Sequence, residues 1–482
     1  MRPWVVGLAA VVVAVAASKN GIALRMRRLE TTHEEAFLQN LKSEPEQRAV
    51  KTHLMLGQGV HSVEVYFGGQ PRVLIVDTGS ADTAFPCSDC SGCGGEHVNP
   101  FYTPTKSSSY VTCHENAALG FTKCKSCSTD DKCVFAESYV EGSGWEAFKV
   151  KDRVYFEGNP SVTADVVFGC MHTESGAFLS QQADGIMGMS QDPDAIFLQF
   201  FKSGATSMKG FSQCIAQSGG SMVIGGLDRS VHTPGAEMVF TPLRTTGYTY
   251  WTVSLDTITV GGHRVDVASS VYNANRGCVF DSGTTFVYLP SSVAAPFQAQ
   301  WETAVKEAGL DERYTTYREG GEYLILTRAT LNKLPTIEFT FANNATMRLP
   351  PSQYMVYDGD NMYTATLFFQ DFAHATIIGA SMLANHNVLY DMTNHRIGFA
   401  EANCDDTAAH TAMELITDIG GDTFTPEFTW LQLISQVPPV VAFVLGMVAL
   451  YLVKEFSLAM TSRLERDDKA DVGSAYLHVA EV

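Results

Sequence analysis

Val73-Leu74-Ile75-Val76-Asp77-Thr78-Gly79-Ser80 and Cys278-Val279-Phe280-Asp281-Ser282-Gly283-Thr284-Thr285 are the two stretches that decide the fold. Each is an apolar run ending in Asp-Ser/Thr-Gly. The two acids stand 204 residues apart, and the tripeptide has no third copy. A lone Asp-Thr-Gly makes an ordinary turn. Two copies behind strand-like runs are what a hydrolase working through paired carboxylates requires. A second echo lies downstream of each: Asp184-Gly185-Ile186-Met187-Gly188 after the first, Ile377-Ile378-Gly379 after the second. This pseudo-repeat predicts two similar lobes, with a junction at Gly225-Gly226-Leu227-Asp228.

The stretches between these motifs agree. Short runs such as Val63-Glu64-Val65-Tyr66-Phe67, Val166-Val167-Phe168 and Met222-Val223-Ile224 are punctuated by Gly and Asp, which predicts a mostly β protein. Helices are expected over 293–309 and 195–202.

Pairing two carboxyls dictates a chemistry. Brought within a few ångströms, they resist double ionisation and share one proton. The ionised partner takes a proton from water and the protonated one donates to a carbonyl oxygen, so an amide is hydrolysed without a covalent intermediate. Asp77 and Asp281 are therefore the candidate catalytic residues. Gly79 and Gly283 let backbone pack against the carboxyls, and Ser80 and Thr284 offer hydroxyls to orient them. Tyr139-Val140-Glu141-Gly142-Ser143-Gly144 suits the tip of a mobile hairpin, an aromatic followed by Gly-Ser-Gly. It reads equally well as a plain surface turn. Tyr139, Gly142 and Ser143 join Gly79, Ser80, Gly283 and Thr284 as candidate substrate-binding residues. No metal or cofactor is expected.

With 482 residues, 45% of them hydrophobic and 18% charged, the chain is globular and long enough for two or three domains. A net charge of −19 excludes a general nucleic-acid binder. It would attract basic substrates, although a solvated acidic surface is its ordinary meaning. Residues 1–17, with Arg2 before an apolar run and small residues Ala14 and Ala16, read as a secretory signal; a retained anchor is the alternative. Residues 431–453 are uncharged and long enough to span a bilayer as a C-terminal transmembrane helix. The flanking segment 405–430 carries acids and no Lys or Arg, whereas Lys454, Arg463, Arg466 and Lys469 follow the span. That asymmetry places the tail 454–482 in the cytoplasm and the rest on the lumenal or extracellular side of a secretory-pathway membrane. Asn344-Ala345-Thr346 is a glycosylation sequon, and Tyr476-Leu477-His478-Val479 has the form of a sorting signal.

The chain has 11 cysteines. Cys87, Cys90, Cys93, Cys113, Cys124, Cys127 and Cys133 crowd one stretch; Cys170, Cys214, Cys278 and Cys404 are dispersed. In cytosol the Cys-x2-Cys spacings would suggest zinc. Behind a signal peptide they read as a disulfide framework. The odd count leaves one thiol over, and Cys278, remote from the cluster, is the candidate.

Residues 51–404 resemble the pepsin family of aspartic proteases. Asp77-Thr78-Gly79-Ser80 and Asp281-Ser282-Gly283-Thr284 match its two catalytic loops and Tyr139 its flap tyrosine; Ile377-Ile378-Gly379 with Asn394-His395-Arg396-Ile397-Gly398-Phe399-Ala400 resembles its closing signature. Gly21-Ile22-Ala23-Leu24-Arg25 resembles the start of a family prosegment, implying a zymogen. The Cys-x2-Cys-x2-Cys run and the cysteines before the flap resemble the nepenthesin-type insert. Phe85-Pro86-Cys87 with a C-terminal span looks most like the plasmepsin V group. The resemblance implies a bilobal fold and a monomeric, membrane-anchored endopeptidase acting on protein or peptide substrates, with proprotein or secreted-cargo processing as its role. The implied layout is signal 1–17, prosegment 18–50, first lobe 51–228 with the insert at 87–133, second lobe 229–404, and a stalk before the span. The implied bridges are Cys87–Cys90, Cys93–Cys170, Cys113–Cys133, Cys124–Cys127 and Cys214–Cys404. Two departures stand out: Ala84 replaces the tryptophan that holds the flap tyrosine, and Val140 replaces a flap cysteine of the plasmepsin V group. The competing readings are a non-catalytic receptor or inhibitor on the same fold and a zinc-binding adhesion module. The first conflicts with the intact Asp and Gly of both motifs, the second with the compartment.

Overall fold

The computed structural model describes residues 11–18, 21–28, 49–57, 60–95, 97–139, 142–216, 219–244, 247–319 and 323–405. The chain divides into two units, Met1–Gln47 and Arg48–Val482. In the first, strands Val11–Ser18 and Gly21–Arg28 pair antiparallel, with Ser18 opposite Gly21. The candidate span at 431–453 lies outside the described residues. Among those described, no helix is long and apolar enough to cross a membrane.

The second unit is mostly β. Strands Val60–Phe67 and Gln70–Asp77 form a tight hairpin, Phe67 opposite Gln70. Gly68 and Gly69 turn the chain with φ of 54° and 81°, the paired positive values that a two-residue hairpin loop needs. Leu74, Ile75 and Val76 are all buried, so the strand carries Asp77 into the interior rather than along a surface. A 15-stranded sheet runs through the unit. Val50–Gly57 pairs with Gly219–Ile224, which pairs with Gly210–Ala216, and that strand pairs in turn with His386–Asp391 from the far end of the chain. The two halves thus share a sheet. They also share a core: Trp251 packs against Phe197, Phe211 and Tyr390, and its indole donates to the Met189 carbonyl at 2.7 Å. Burying each such ring contributes roughly 1.5–3 kcal/mol.

Helices form at Ala294–Glu307 and Ile196–Lys202, within the expected stretches. The longer one turns Phe297, Trp301, Ala304 and Val305 inward, a helical stripe of apolar residues. Asn344 of the sequon is exposed at a turn.

The cysteines pair differently from the implied pattern. Cys214–Cys404 forms as expected, and Cys278 is the free, buried thiol. The others bond as Cys87–Cys170, Cys90–Cys93, Cys113–Cys127 and Cys124–Cys133, replacing Cys87–Cys90, Cys93–Cys170, Cys113–Cys133 and Cys124–Cys127. Strand register is the reason. Ala84–Pro86 lies parallel to Ala164–Ser175 with Phe85 opposite Cys170, and the Cys87 amide bonds to the Met171 carbonyl. Cys87 therefore meets Cys170 at a Cα separation of 5.3 Å, and Cys90 is left to close a turn with Cys93.

Candidate active site

Each Asp motif caps a strand held in the same local arrangement. Gln70–Asp77 lies parallel to Gly185–Gly188, which bridges antiparallel to Ala84–Pro86 through Ile186 and Ala84. In the other half, Cys278–Phe280 lies parallel to Thr376–Ile378, which bridges antiparallel to Val287–Leu289 through Ile377 and Tyr288. The outer neighbours, Ala164–Ser175 and Leu367–Phe369, are parallel in both. The two echoes seen in sequence are thus the strands beside the two acids.

The loops after the acids grip one another. The Thr78 amide donates to Ser282 Oγ at 3.2 Å, and the Ser282 amide donates to Thr78 Oγ1 at 2.9 Å. Each hydroxyl then reaches a carbonyl of the opposite strand: Thr78 to Phe280 at 3.0 Å, Ser282 to Val76 at 2.7 Å. All four bonds are buried, and each is worth about 1 kcal/mol net. This lattice sets Asp77 and Asp281 face to face. A Cβ on Gly79 would fall 2.7 Å from Asp281 Oδ1, and one on Gly283 would fall 2.3 Å from Asp77 Oδ1. Only glycine lets each loop pass over the other's carboxyl.

The two acids differ in their donors. Asp77 Oδ1 accepts the Gly79 amide at 2.8 Å. Asp281 Oδ1 accepts the Gly283 amide at 3.0 Å, and its Oδ2 also accepts the Thr284 hydroxyl at 2.7 Å. Burial, and then the charge of Asp281, holds the Asp77 carboxyl well above the usual carboxylate range, against the pull of Ser80 and Gly79. Such a pair can keep one proton between them across acid pH.

The acids open onto a cavity of about 330 Å³. Asp77, Gly79, Ser80, Tyr139, Asp281 and Thr284 of the expected residues line it, whereas Gly283 sits beneath Asp77. Gly142 and Ser143 do not line it. Ser143, in the tip turn, is buried, and its hydroxyl accepts the Ala177 amide at 2.8 Å; Gly142 beside it turns the chain at φ 94°. The hairpin itself forms as expected, with Gly144 opposite Ser138 and Trp145 opposite Glu137. Tyr139 is held from within this hairpin: Trp145 Nε1 donates to its hydroxyl at 3.3 Å, and its ring packs on Phe178. Trp145 thus supplies the indole that Ala84 lacks.

Sequence reasoning missed part of the lining. Tyr250, Arg276 and His374 come from the second half, Asp82, Glu137 and Asp192 from the first. Glu137 was within reach, since it lies two residues before Tyr139 on a strand and so shares its face. The buried ion pair Lys149–Asp194, at 2.6 Å behind this wall, had no local signature.

A family model of eukaryotic aspartyl proteases matches residues 61–402, which spans both Asp loops, the hairpin and the shared sheet. The chain belongs to this family. It is an aspartic-type endopeptidase, and peptides are its substrates. The protease is 26% identical over 371 residues to Aspartic proteinase 36 of Arabidopsis thaliana, covering 72% of this chain and 74% of that one. It is 25% identical over 378 residues to Aspartic protease 5 of Toxoplasma gondii, covering 73% of this chain but 37% of the longer relative. To plasmepsin V of Plasmodium falciparum it is 31% identical over 163 residues, 32% of this chain and 27% of that protein.

Proposed function

We propose that Asp77 and Asp281 form the catalytic pair of a membrane-anchored endopeptidase that processes proteins in the secretory pathway. One observation carries the catalytic assignment: two interlocked loops hold a carboxyl from each half against the other, Asp77 buried and Asp281 half-buried. Asp281 takes two donors and Asp77 one, so the negative charge is best placed on Asp281 and the shared proton on Asp77. Asp281 then draws a proton from the attacking water as Asp77 donates to the scissile carbonyl, and the proton pattern reverses as the amide nitrogen leaves. Gly79, Ser80 and Thr284 border the reacting atoms, and Tyr139 closes over the substrate backbone from the hairpin. The chain works as a monomer without metal or cofactor.

Five disulfides support an oxidising compartment. The uncharged segment 431–453 and the basic residues after it support a single span with the cleft on the lumenal side. The partial likeness to plasmepsin V is in keeping with that setting.

The test uses the full-length chain in detergent. Wild type cleaves a peptide mixture and is blocked by a hydroxyethylamine isostere; Asp77→Ala and Asp281→Ala do not cleave. Undiminished cleavage by either variant refutes the assignment. Alkaline extraction of membranes, with protease protection of the two termini, tests the span.

A further inference from the structure

Behind the hairpin, the loop closed by Cys90–Cys93 meets the strand Ala164–Ser175 at a buried pair that the catalytic reading does not use. His97 Nε2 stands 3.8 Å from Glu174 Oε2, and the two side chains are 3% and 0% exposed. Two hydrogen bonds fix the arrangement. His97 Nδ1 lies 2.9 Å from the Ala183 carbonyl, which only accepts, so Nδ1 carries a hydrogen. Glu174 Oε2 accepts the Gly94 amide at 2.9 Å. His97 Nε2 and Glu174 Oε1 are left buried without a hydrogen-bond partner among the described residues. A neutral imidazole with its hydrogen on Nδ1 would set the lone pair of Nε2 beside a carboxylate. The pair is satisfied only with one further proton, as an imidazolium facing a carboxylate.

The surroundings favour that proton. Asp184 also acts on His97; its oxygens are held by the Val73 amide and by the amide and side chain of Asn99, and Arg72 acts on it from the strand Gln70–Asp77. Phe101 packs on the imidazole at 5.7 Å between ring centres. No Lys or Arg pairs with Glu174 among the described residues. Burial opposes a charge on His97, but Glu174, the Ala183 carbonyl and Asp184 outweigh it and hold the imidazole above its ordinary 6.5.

The segment that starts at Glu174 supports the hairpin. Glu174 is opposite Trp145, whose indole donates to the Tyr139 hydroxyl. The Ala177 amide is bonded to the Ser143 hydroxyl, and Phe178 packs on the Tyr139 ring. The cysteine loop closes the same segment from its other side. A Cβ on Gly94 would fall 2.3 Å from the Leu179 carbonyl oxygen, and the Val98 amide donates to the Gln182 carbonyl at 3.0 Å. Residues 174–184 thus bear the tyrosine's supports on one side and the cysteine loop on the other, tied at Glu174.

We propose that His97 and Glu174 are positioning residues that hold the hairpin over the cleft through a shared proton, so that the enzyme binds substrate tightly at acid pH and loosely as the pH rises past neutral. The assignment rests on the reading of this hairpin as the element that closes over the substrate. Protonated, the pair is neutral overall and ties the cysteine loop to the strand beneath Trp145. The imidazole is raised above its unfolded value of 6.5, so the tie is complete below 6.5 and is lost as pH rises through the folded value. A carboxylate then stays buried with the Gly94 amide as its one hydrogen bond, and the segment that supports Tyr139 loosens.

The test measures KM and kcat for one peptide from about pH 5 to about pH 8, with the full-length chain in detergent. Glu174→Gln and His97→Gln each replace a titrating group by an amide, so each makes the tie independent of pH, and either serves if the other fails to fold. Wild-type KM rises across this range, relative to both variants, by a factor on the order of 10, which is what one pKa unit between closed and open hairpin gives. The kcat profile is common to all three proteins. A KM profile shared by wild type and both variants overturns the proposal. Hydrogen exchange over residues 88–98 and 142–148, corrected for the intrinsic rate at each pH, reads the tie without turnover. Protection falls with rising pH in wild type and is kept in Glu174→Gln. Equal protection across the range in wild type overturns the tie, and protection that changes while KM does not overturns the positioning role. Tyr139→Ala tests the underlying reading: an unchanged KM there refutes the hairpin as a lid, and exchange still decides the tie.

Discussion

Substituting Gly283 by alanine tests the reciprocal packing of the two loops. The backbone at Gly283 is not in the left-handed region, so alanine adopts it without strain. The new methyl would lie 2.3 Å from Asp77 Oδ1, 2.6 Å from Cγ and 3.2 Å from Cβ, so it meets the whole carboxyl and not a flexible tip. Asp77 is buried, and its Oδ1 is tied to the Gly79 amide. Relief to ordinary van der Waals contact requires a displacement of about 1 Å, and a misplacement of that size costs about 100-fold in rate. Overpacking costs about 1–3 kcal/mol of stability, which a chain of this size survives. The assay is kcat and KM on one fluorogenic peptide, with a denaturant midpoint for each protein. The expected result is a loss in kcat of about 100-fold or more in a folded protein. Gly79→Ala does less damage, because its methyl falls 2.7 Å and 2.8 Å from the Asp281 oxygens. Gly95→Ala, which faces open space, changes neither number. A Gly283→Ala enzyme with wild-type kcat refutes the argument that the glycine exists for the carboxyl.

Lys149→Met strands Asp194 in the interior and lowers unfolding free energy by about 3–5 kcal/mol at neutral pH, read from urea or guanidinium titration. Trp145→Phe removes the donor to the Tyr139 hydroxyl; KM for a peptide rises several-fold, as expected for about 1 kcal/mol, with little change in thermal midpoint. Burial, then the charges of Asp194, Glu137 and Asp192, raises the Asp82 carboxyl well above 3.8, opposed by Lys149. Below pH 3.8 both folded and unfolded chains hold this proton. Above it the unfolded chain releases the proton first, so stability falls as pH rises toward the folded value, by at most about 1.4 kcal/mol per pH unit. Asp82→Asn cannot lose a proton; its stability relative to wild type therefore increases between pH 4 and pH 7, and a flat difference in denaturant titrations would falsify the account.

What was legible in the sequence was whatever repeats or keeps a local period. The Asp-Thr-Gly and Asp-Ser-Gly loops, their downstream echoes and the apolar stripe of the helix Ala294–Glu307 each depend on neighbours close in the chain or on internal likeness. Cys278 stood apart by position alone. The disulfides did not, because Cys87 meets Cys170 through the register of two parallel strands 83 residues apart. No spacing rule encodes that choice. Ser143 does sit in the hairpin tip that its Gly-Ser-Gly setting suggested, but it does not line the cavity. Its hydroxyl is instead held by Ala177 in a neighbouring segment. The acidic wall was least legible of all, since Asp82, Glu137 and Asp192 are unremarkable residues until three segments bring them to one cavity.

The dyad belongs to the contact between halves and to neither half alone. Thr78 completes the loop of Asp281, and Ser282 completes that of Asp77. Each glycine makes room for the opposite acid, so a lesion in one loop is felt at the carboxyl of the other. Chemistry that needs two carboxyls with unlike protonation nevertheless requires that this symmetry be imperfect. It breaks at the residue after each glycine. Thr284 donates to Asp281 at 2.7 Å, whereas the Ser80 hydroxyl pulls on Asp77 through a looser contact that makes no full hydrogen bond among the described residues. Deep burial of Asp77 raises its carboxyl, and that is the side on which the proposed mechanism places the shared proton. The duplicated fold brings the acids together, and on the proposed assignment the small differences between its copies give them separate tasks.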